Sequence, residues 1–143
     1  MQKLTAKAKI AIQAQLQAVF EAIVNPEIMK NYFISKGSNR LEMGNEILWE
    51  FPEFEGSFPV EVMEIIPNQR IHFSWDSNSE VLIEFEKQSV ETTIVMVHEM
   101  GYQNDEKGIQ WVIGQTEGWA NFLACLKAWM EYKIHLRKGA FDF

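Results

Sequence analysis

The chain of 143 residues is 47% hydrophobic and carries a formal net charge of -7, which suits one domain built on one core and argues against disorder. The acidic balance lacks the basic footprint that nucleic-acid binding needs and repels an anionic membrane surface on average. No apolar run approaches the ~18 residues of a membrane span, the N-terminus MQKLTAKAKI lacks the apolar centre of a signal peptide, and the one cysteine, Cys125, cannot form an internal disulfide, so a cytoplasmic protein is expected.

Thr5 to Ala14 alternate, with Ala6, Ala8, Ile10, Ile12 and Ala14 on one side, and predict a first strand. The spacing turns helical over Gln15 to Val24, where Leu16, Val19, Phe20 and Ile23 share a face. Asn25-Pro26-Glu27 then reads as a helix start: a capping side chain, proline at the first helical position and an acid in the first turn. This second, short helix passes through Ile28, Met29, Tyr32 and Phe33 and ends before the polar loop Ser35 to Asn39.

From Arg40 to Tyr102 strands alternate with turn signals. Glu46 to Phe51 sets Ile47, Trp49 and Phe51 on one face, and Ser57 to Ile66 sets Phe58, Val60 and Val62, with Pro59 suggesting an edge or an irregularity. Glu64 breaks that alternation, as at a bulge or a strand end. Ile71, Phe73 and Trp75 alternate along Arg70 to Trp75, and Val81, Ile83 and Phe85 point inward from Glu80 to Lys87. Glu91 to Gly101 carries two apolar rows: Ile94 and Met96 in line with His98, opposite Val95, Val97 and Glu99. Tight turns between these strands predict an antiparallel meander.

The last third, Gly108 to Lys138, predicts one long amphipathic helix of ~45 Å at ~1.5 Å per residue. Its stripe runs Val112, Thr116, Trp119, Leu123, Leu126, Met130 and Ile134, with Phe122, Cys125, Trp129 and Tyr132 beside it. The expected fold class is α+β: a curved antiparallel sheet wrapped around a long C-terminal helix, with two short helices after the first strand.

Several short motifs in this order resemble those of the START-like helix-grip superfamily. They are Asn25-Pro26-Glu27, Phe54-Glu55-Gly56, Glu64-Ile65-Ile66-Pro67, Arg70 to Trp75, Val97-His98-Glu99-Met100-Gly101-Tyr102 and Glu117-Gly118-Trp119 with Leu123 and Leu126. Within the superfamily the chain is most similar to the activator-of-heat-shock-ATPase homologues, over essentially its full length. One departure is Tyr32-Phe33, where many relatives have a tryptophan pair. The resemblance implies residues 1–143 as one helix-grip domain with an apolar cavity between sheet and helix, where superfamily members hold lipids, hormones or polyketides. It also implies, by analogy only, contact with the ninety-kilodalton heat-shock chaperone. The second domain through which the eukaryotic namesakes dock on that chaperone is not expected here.

Candidate chemistry is sparse. His72, His98 and His135 share no metal-ligand spacing, and no paired-cysteine, glycine-rich phosphate or nucleophile-elbow motif occurs, so neither metal nor cofactor nor a catalytic residue is expected. The candidate ligand pocket takes Trp49, Phe58, Val60, Phe73, Trp75 and Phe85 from the sheet, with Met96 and His98 from the last strand and Trp119 and Leu123 from the helix. His98 there would hydrogen-bond a ligand or act as a general base; as a core histidine it would be satisfied by a backbone carbonyl or a neighbouring side chain. The aromatics suit a ligand cage or a filled core equally. Gly114 and Gly118, four apart on one helical face, suit close approach to the sheet, space left for a ligand, or a kink. A non-enzymatic binder of a small apolar or amphipathic molecule ranks first, a surface interaction module second, and a cyclase- or hydratase-like enzyme using His98 third. Trp111 and Tyr132 near the helix margins leave a homodimer open.

Overall fold

The computed structural model, which describes residues 2–143, has ten elements: nine follow the predicted order, and a two-residue strand falls in the stretch Ser35 to Asn39 expected to be a loop. Strand β1 (Lys3–Ile12) leads through helices α1 (Leu16–Val24) and α2 (Pro26–Met29) to β2 (Lys36–Gly37), β3 (Glu46–Glu50), β4 (Phe58–Ile66), β5 (Arg70–Asp76), β6 (Ser79–Ser89) and β7 (Thr92–Gln103), and α3 (Glu106–Tyr132) follows. The strands form one curved antiparallel sheet in the order β1-β7-β6-β5-β4-β3-β2. From β2 to β7 each strand pairs with its successor, and β1 closes the row by pairing along β7, from Lys3 opposite Gln103 to Ile12 opposite Thr93. Helix α1 packs on β6 and β7, α2 on β2, and α3 on β1 and β7.

Local chemistry explains the element boundaries. The Asn25 side chain accepts from the Glu27 N–H at 2.9 Å and Pro26 opens α2, so the cap read from sequence is the cap that forms. Glu64 follows a register shift on β4 between Val62 and Glu64, which is the bulge its broken alternation suggested. Gly101 has φ +155° and lies so close to Asn78 that an added Cβ would fall 2.0 Å from the Asn78 carbonyl oxygen, so β7 can run past the β5–β6 turn only with glycine there.

Helix α3 begins two residues earlier and ends six residues earlier than its apolar spacing predicts. Asp105 caps it by accepting from the Gly108 N–H at 2.7 Å. At the other end Lys133 turns left-handed (φ 55°), its N–H bonds to the Trp129 carbonyl and the Ile134 N–H to that of Ala128. This paired closure ends a helix whatever the hydrophobic pattern beyond it. Ile134, expected in the buried stripe, is 52% exposed. The residues after it fold back toward the β3–β4 loop, where the Arg137 guanidinium meets Glu53 at 2.6 Å.

A single buried cluster joins α1, α2, the inward rows of the sheet and the centre of α3, through Phe122, Leu123, Cys125 and Leu126. Phe20 lies edge-on to Phe85 at 5.3 Å, and Tyr32, fully buried, donates to the Ala22 carbonyl oxygen at 2.7 Å. Burial pushes the Tyr32 phenol well above its usual range and raises the Cys125 thiol as well, because both charged forms lose their hydration. Cys125 is therefore an inert packing residue.

The inward face of β7 corrects one expectation. Thr93, Val95, Val97 and Glu99 are buried, whereas Ile94, Met96 and His98 are half-exposed on the outer face. Both rows carry apolar side chains, so alternation alone could not orient the strand. The pairing decides it: Ala6, Ala8 and Ile10 of the inward β1 row lie opposite Glu99, Val97 and Val95.

Candidate functional site

Glu99 has no exposed surface, and its two oxygens collect four hydrogen bonds. The Trp119 indole N–H donates to Oε1 at 2.8 Å and the Gln115 amide nitrogen to the same atom at 2.6 Å. The Trp75 indole N–H donates to Oε2 at 3.0 Å and the Ser79 hydroxyl at 2.7 Å. A buried carboxylate is costly unless its lone pairs are satisfied, and here one carboxylate ties β5, the start of β6, β7 and α3 together. Its two tryptophan partners lie face to face, 5.2 Å between centroids and 25° between planes.

Those two rings form one wall of an open pocket of about 320 Å³. The other aromatic walls are Phe33 from the turn after α2, Phe51 and Phe54 from the loop after β3, and Phe58 from the start of β4. Phe33 sits at the junction, 4.7 Å from Phe122, 5.2 Å from Phe51 and 5.7 Å from Trp49. Gln115 and Gly118 of α3 and Arg137 of the folded-back tail complete the lining. Arg137 lies over Phe33 and Phe141 at 5.4 and 4.9 Å and pairs with Glu53 through its terminal nitrogen, while its buried Nε has no hydrogen-bond partner.

Of the ten residues expected in a pocket, Phe58, Trp75 and Trp119 line this one. Trp49, Val60, Phe73, Phe85 and Leu123 are buried core; Trp49 and Phe73 stand behind Trp75 at 5.9 and 5.8 Å. Met96 and His98 do not belong to it. They face outward, His98 opposite Lys7 and Leu82 in the sheet, because β7 presents its other row to the core. Sequence reasoning missed Glu99 as a site residue, although it stands in the inward row with Val95 and Val97. It also missed Arg137, which the predicted helix had absorbed. Gly114 and Gly118 do not abut the sheet: a Cβ added at either meets nothing within 4 Å, and Gly118 borders the pocket. Trp111 is stacked on Tyr102 at 4.3 Å within the chain, while Tyr132 is exposed. Among the described residues no group of three or more His, Cys, Asp or Glu side chains is placed to hold a metal ion, and no helix is long and apolar enough to cross a membrane.

A curved antiparallel sheet gripping a long C-terminal helix, with an aromatic pocket opening beside that helix, defines a START-like helix-grip protein. Residues 13–131 match the family described as Activator of Hsp90 ATPase homolog 1-like protein, and the chain belongs to that family. Among solved structures it is similar to protein SSP2350 from Staphylococcus saprophyticus, at 28% identity and a TM-score of 0.84, covering 94% of this chain and 96% of that one. It shares its fold with the Aha1 dimer from Colwellia psychrerythraea, at 19% identity and a TM-score of 0.76, over 90% of this chain and 97% of that one. It also shares it with DynU16 of the dynemicin biosynthetic locus, at 20% identity and a TM-score of 0.82, where 96% of this chain spans 50% of that one. No curated protein matches the sequence as a relative.

Proposed function

We propose that the protein binds a small, largely apolar aromatic molecule in the pocket between α3 and the β3–β5 side of the sheet, without catalysis. The observation that carries this reading is the open volume of about 320 Å³ walled by six aromatic side chains, at the lower end of small-molecule sites. Burying a ligand's apolar surface there contributes about 25 cal/mol per Å², and the Glu99 network holds the tryptophan wall in place before the ligand arrives. Two observations support the reading without catalysis: Glu99 is spent on four donors, and His98 lies on the far side of the sheet.

Thermal melting with a panel of mono- and bicyclic aromatic compounds, read together with tryptophan fluorescence, tests this. A binder raises Tm in proportion to the logarithm of its concentration above Kd and perturbs Trp75 and Trp119 emission; Phe58→Ala, which opens the wall, weakens both effects. If no compound moves Tm at millimolar concentration, the pocket is not a binding site.

A further inference from the structure

Three buried side-chain nitrogens have no hydrogen-bond partner among the described residues: Trp49 Nε1, Arg70 Nε and Arg137 Nε. A buried donor left unpaired is costly, and each such group calls for an explanation. Arg70 has one in the Glu84 carboxylate, 3.8 Å from its Nε. Trp49 stands in the core behind Trp75 and is not part of the pocket lining. Arg137 alone of the three lines the pocket. Its one hydrogen bond runs from Nη2 to Glu53 at 2.6 Å, so most of the five N–H donors of its guanidinium have no acceptor. Nη1 is unpartnered too and, unlike Nε, is not sealed off from solvent.

The guanidinium is also held in place. Its central carbon lies 5.4 Å from the Phe33 ring centroid, 6.0 Å from that of Phe51 and 4.9 Å from that of Phe141, and the side chain is mostly buried against these rings. A planar fork fixed by stacking gives up little freedom when it forms a further hydrogen bond. The rest of the lining leaves Arg137 without a rival. The phenylalanine rings carry no polar atom, and both indole N–H groups are spent on Glu99. Gln115 gives one amide hydrogen to Glu99 and keeps the second beside its carbonyl oxygen, so it favours neither donors nor acceptors in a ligand. Arg137 tips the side chains of the wall toward donation.

We propose that the pocket takes aromatic molecules bearing a carbonyl or carboxylate oxygen, which accepts from the Arg137 guanidinium, and that Arg137 is the residue that selects them. This rests on the binding reading above and adds the ligand's chemical class to it. Calorimetric titration of the full chain with 2-acetylnaphthalene, 2-naphthoate and 2-isopropylnaphthalene tests it, the last having the size of the ketone without its oxygen. At least one of the two oxygen compounds is expected to bind about fivefold or more tighter than the hydrocarbon, a modest return for a hydrogen bond to a charged donor. Whichever of them binds tighter identifies the acceptor as a neutral carbonyl or an anion. Glu53→Gln leaves Arg137 in place and should keep the preference, while tightening naphthoate by removing the carboxylate that shares the guanidinium. The double variant Glu53→Gln with Arg137→Met keeps an unbranched side chain against the rings and leaves no carboxylate unpaired. It should lose the preference for oxygen, with melting used to check that both variants are folded. Equal binding of all three compounds by the parent overturns the proposal, as does a preference that survives in the double variant, and either result leaves the pocket a site for apolar rings. Binding by none of the three removes both readings.

Discussion

The two halves of α3 rest on the same sheet yet are built on different principles. Its C-terminal half buries Phe122, Leu123, Cys125 and Leu126 in the core cluster, with Phe122 against Tyr32 and Phe33, a contact of apolar side chains. Its N-terminal half buries little except Trp119 and the helix start at Gly108. There the helix carries two glycines with open space beside them, and its attachment runs through hydrogen bonds to one carboxylate and a stacked indole pair. A pocket needs unfilled volume that does not collapse, and directional contacts hold walls apart where close packing would pull them together. The same helix can thus be glued at one end and propped open at the other.

That contrast is broken most forcefully at the glued end. Leu126→Ala should cost about 2–5 kcal/mol, as a buried leucine leaves a cavity, while the affinity for a pocket ligand at the other end stays unchanged; chemical denaturation and titration on the same variant check both halves. At the propped end, Glu99→Leu should cost about 1–3 kcal/mol through donors left without an acceptor. In this case binding should fall as well, with a shift in tryptophan emission as Trp75 and Trp119 lose their anchor. Should Glu99→Leu melt like the parent and bind equally well, the carboxylate is not what holds the wall.

Tyr32→Phe, at the glued end, should cost about 1 kcal/mol for the hydrogen bond to the Ala22 carbonyl. It also carries a pH signature. Burial raises the folded-state phenol well above its usual value, so the unfolded chain ionises first, near the ordinary tyrosine value of about 10. Tyr32 therefore contributes its full stability below that pH and loses it progressively above, as the pH climbs toward the folded value. Melting curves from pH 8 to 11 should fall less steeply for Tyr32→Phe than for the parent.

How much of this was legible in the sequence follows the same division. Regular elements declare themselves through period: outside β7 the strand rows, like the Asn25 cap and the central stripe of α3, stand where apolar spacing and capping chemistry put them. The site depends on features that period does not encode. Which row of β7 faces inward is set by pairing with β1, since Ile94 and Met96 are as hydrophobic as Val95 and Val97. Glu99 is buried only because donors from three other elements converge on it, a coincidence in space with no signature in the chain. Arg137 reaches the pocket because Lys133 adopts a left-handed turn, which a lysine in a helical pattern gives no hint of.

Gly118 is where a small change separates stability from binding. Replacing it with alanine should stabilise the helix by up to about 1 kcal/mol, the usual difference between the two residues in a helix interior, because an added Cβ meets nothing within 4 Å. A leucine at the same place projects toward the pocket that Gly118 borders and should weaken aromatic ligands tenfold or more while the protein melts no lower than the parent. A leucine variant that binds normally would mean that ligands do not pass over this turn of α3.

The smallest effect is expected at His98. It stands in the outer row of β7 between Lys7 and Leu82, with the sheet's thickness separating it from the Trp75–Trp119 wall. Half-exposed side chains that anchor no network change stability by about 0.5 kcal/mol or less when truncated, so His98→Ala should melt and bind as the parent does. The comparison that gives this weight is with Glu99, its immediate neighbour in the chain. A strand sends successive side chains to opposite faces, so the two substitutions act on opposite sides of one backbone. If ligand affinity fell with His98→Ala and survived Glu99→Leu, β7 would have to be turned over, and with it the assignment of which surface is the pocket.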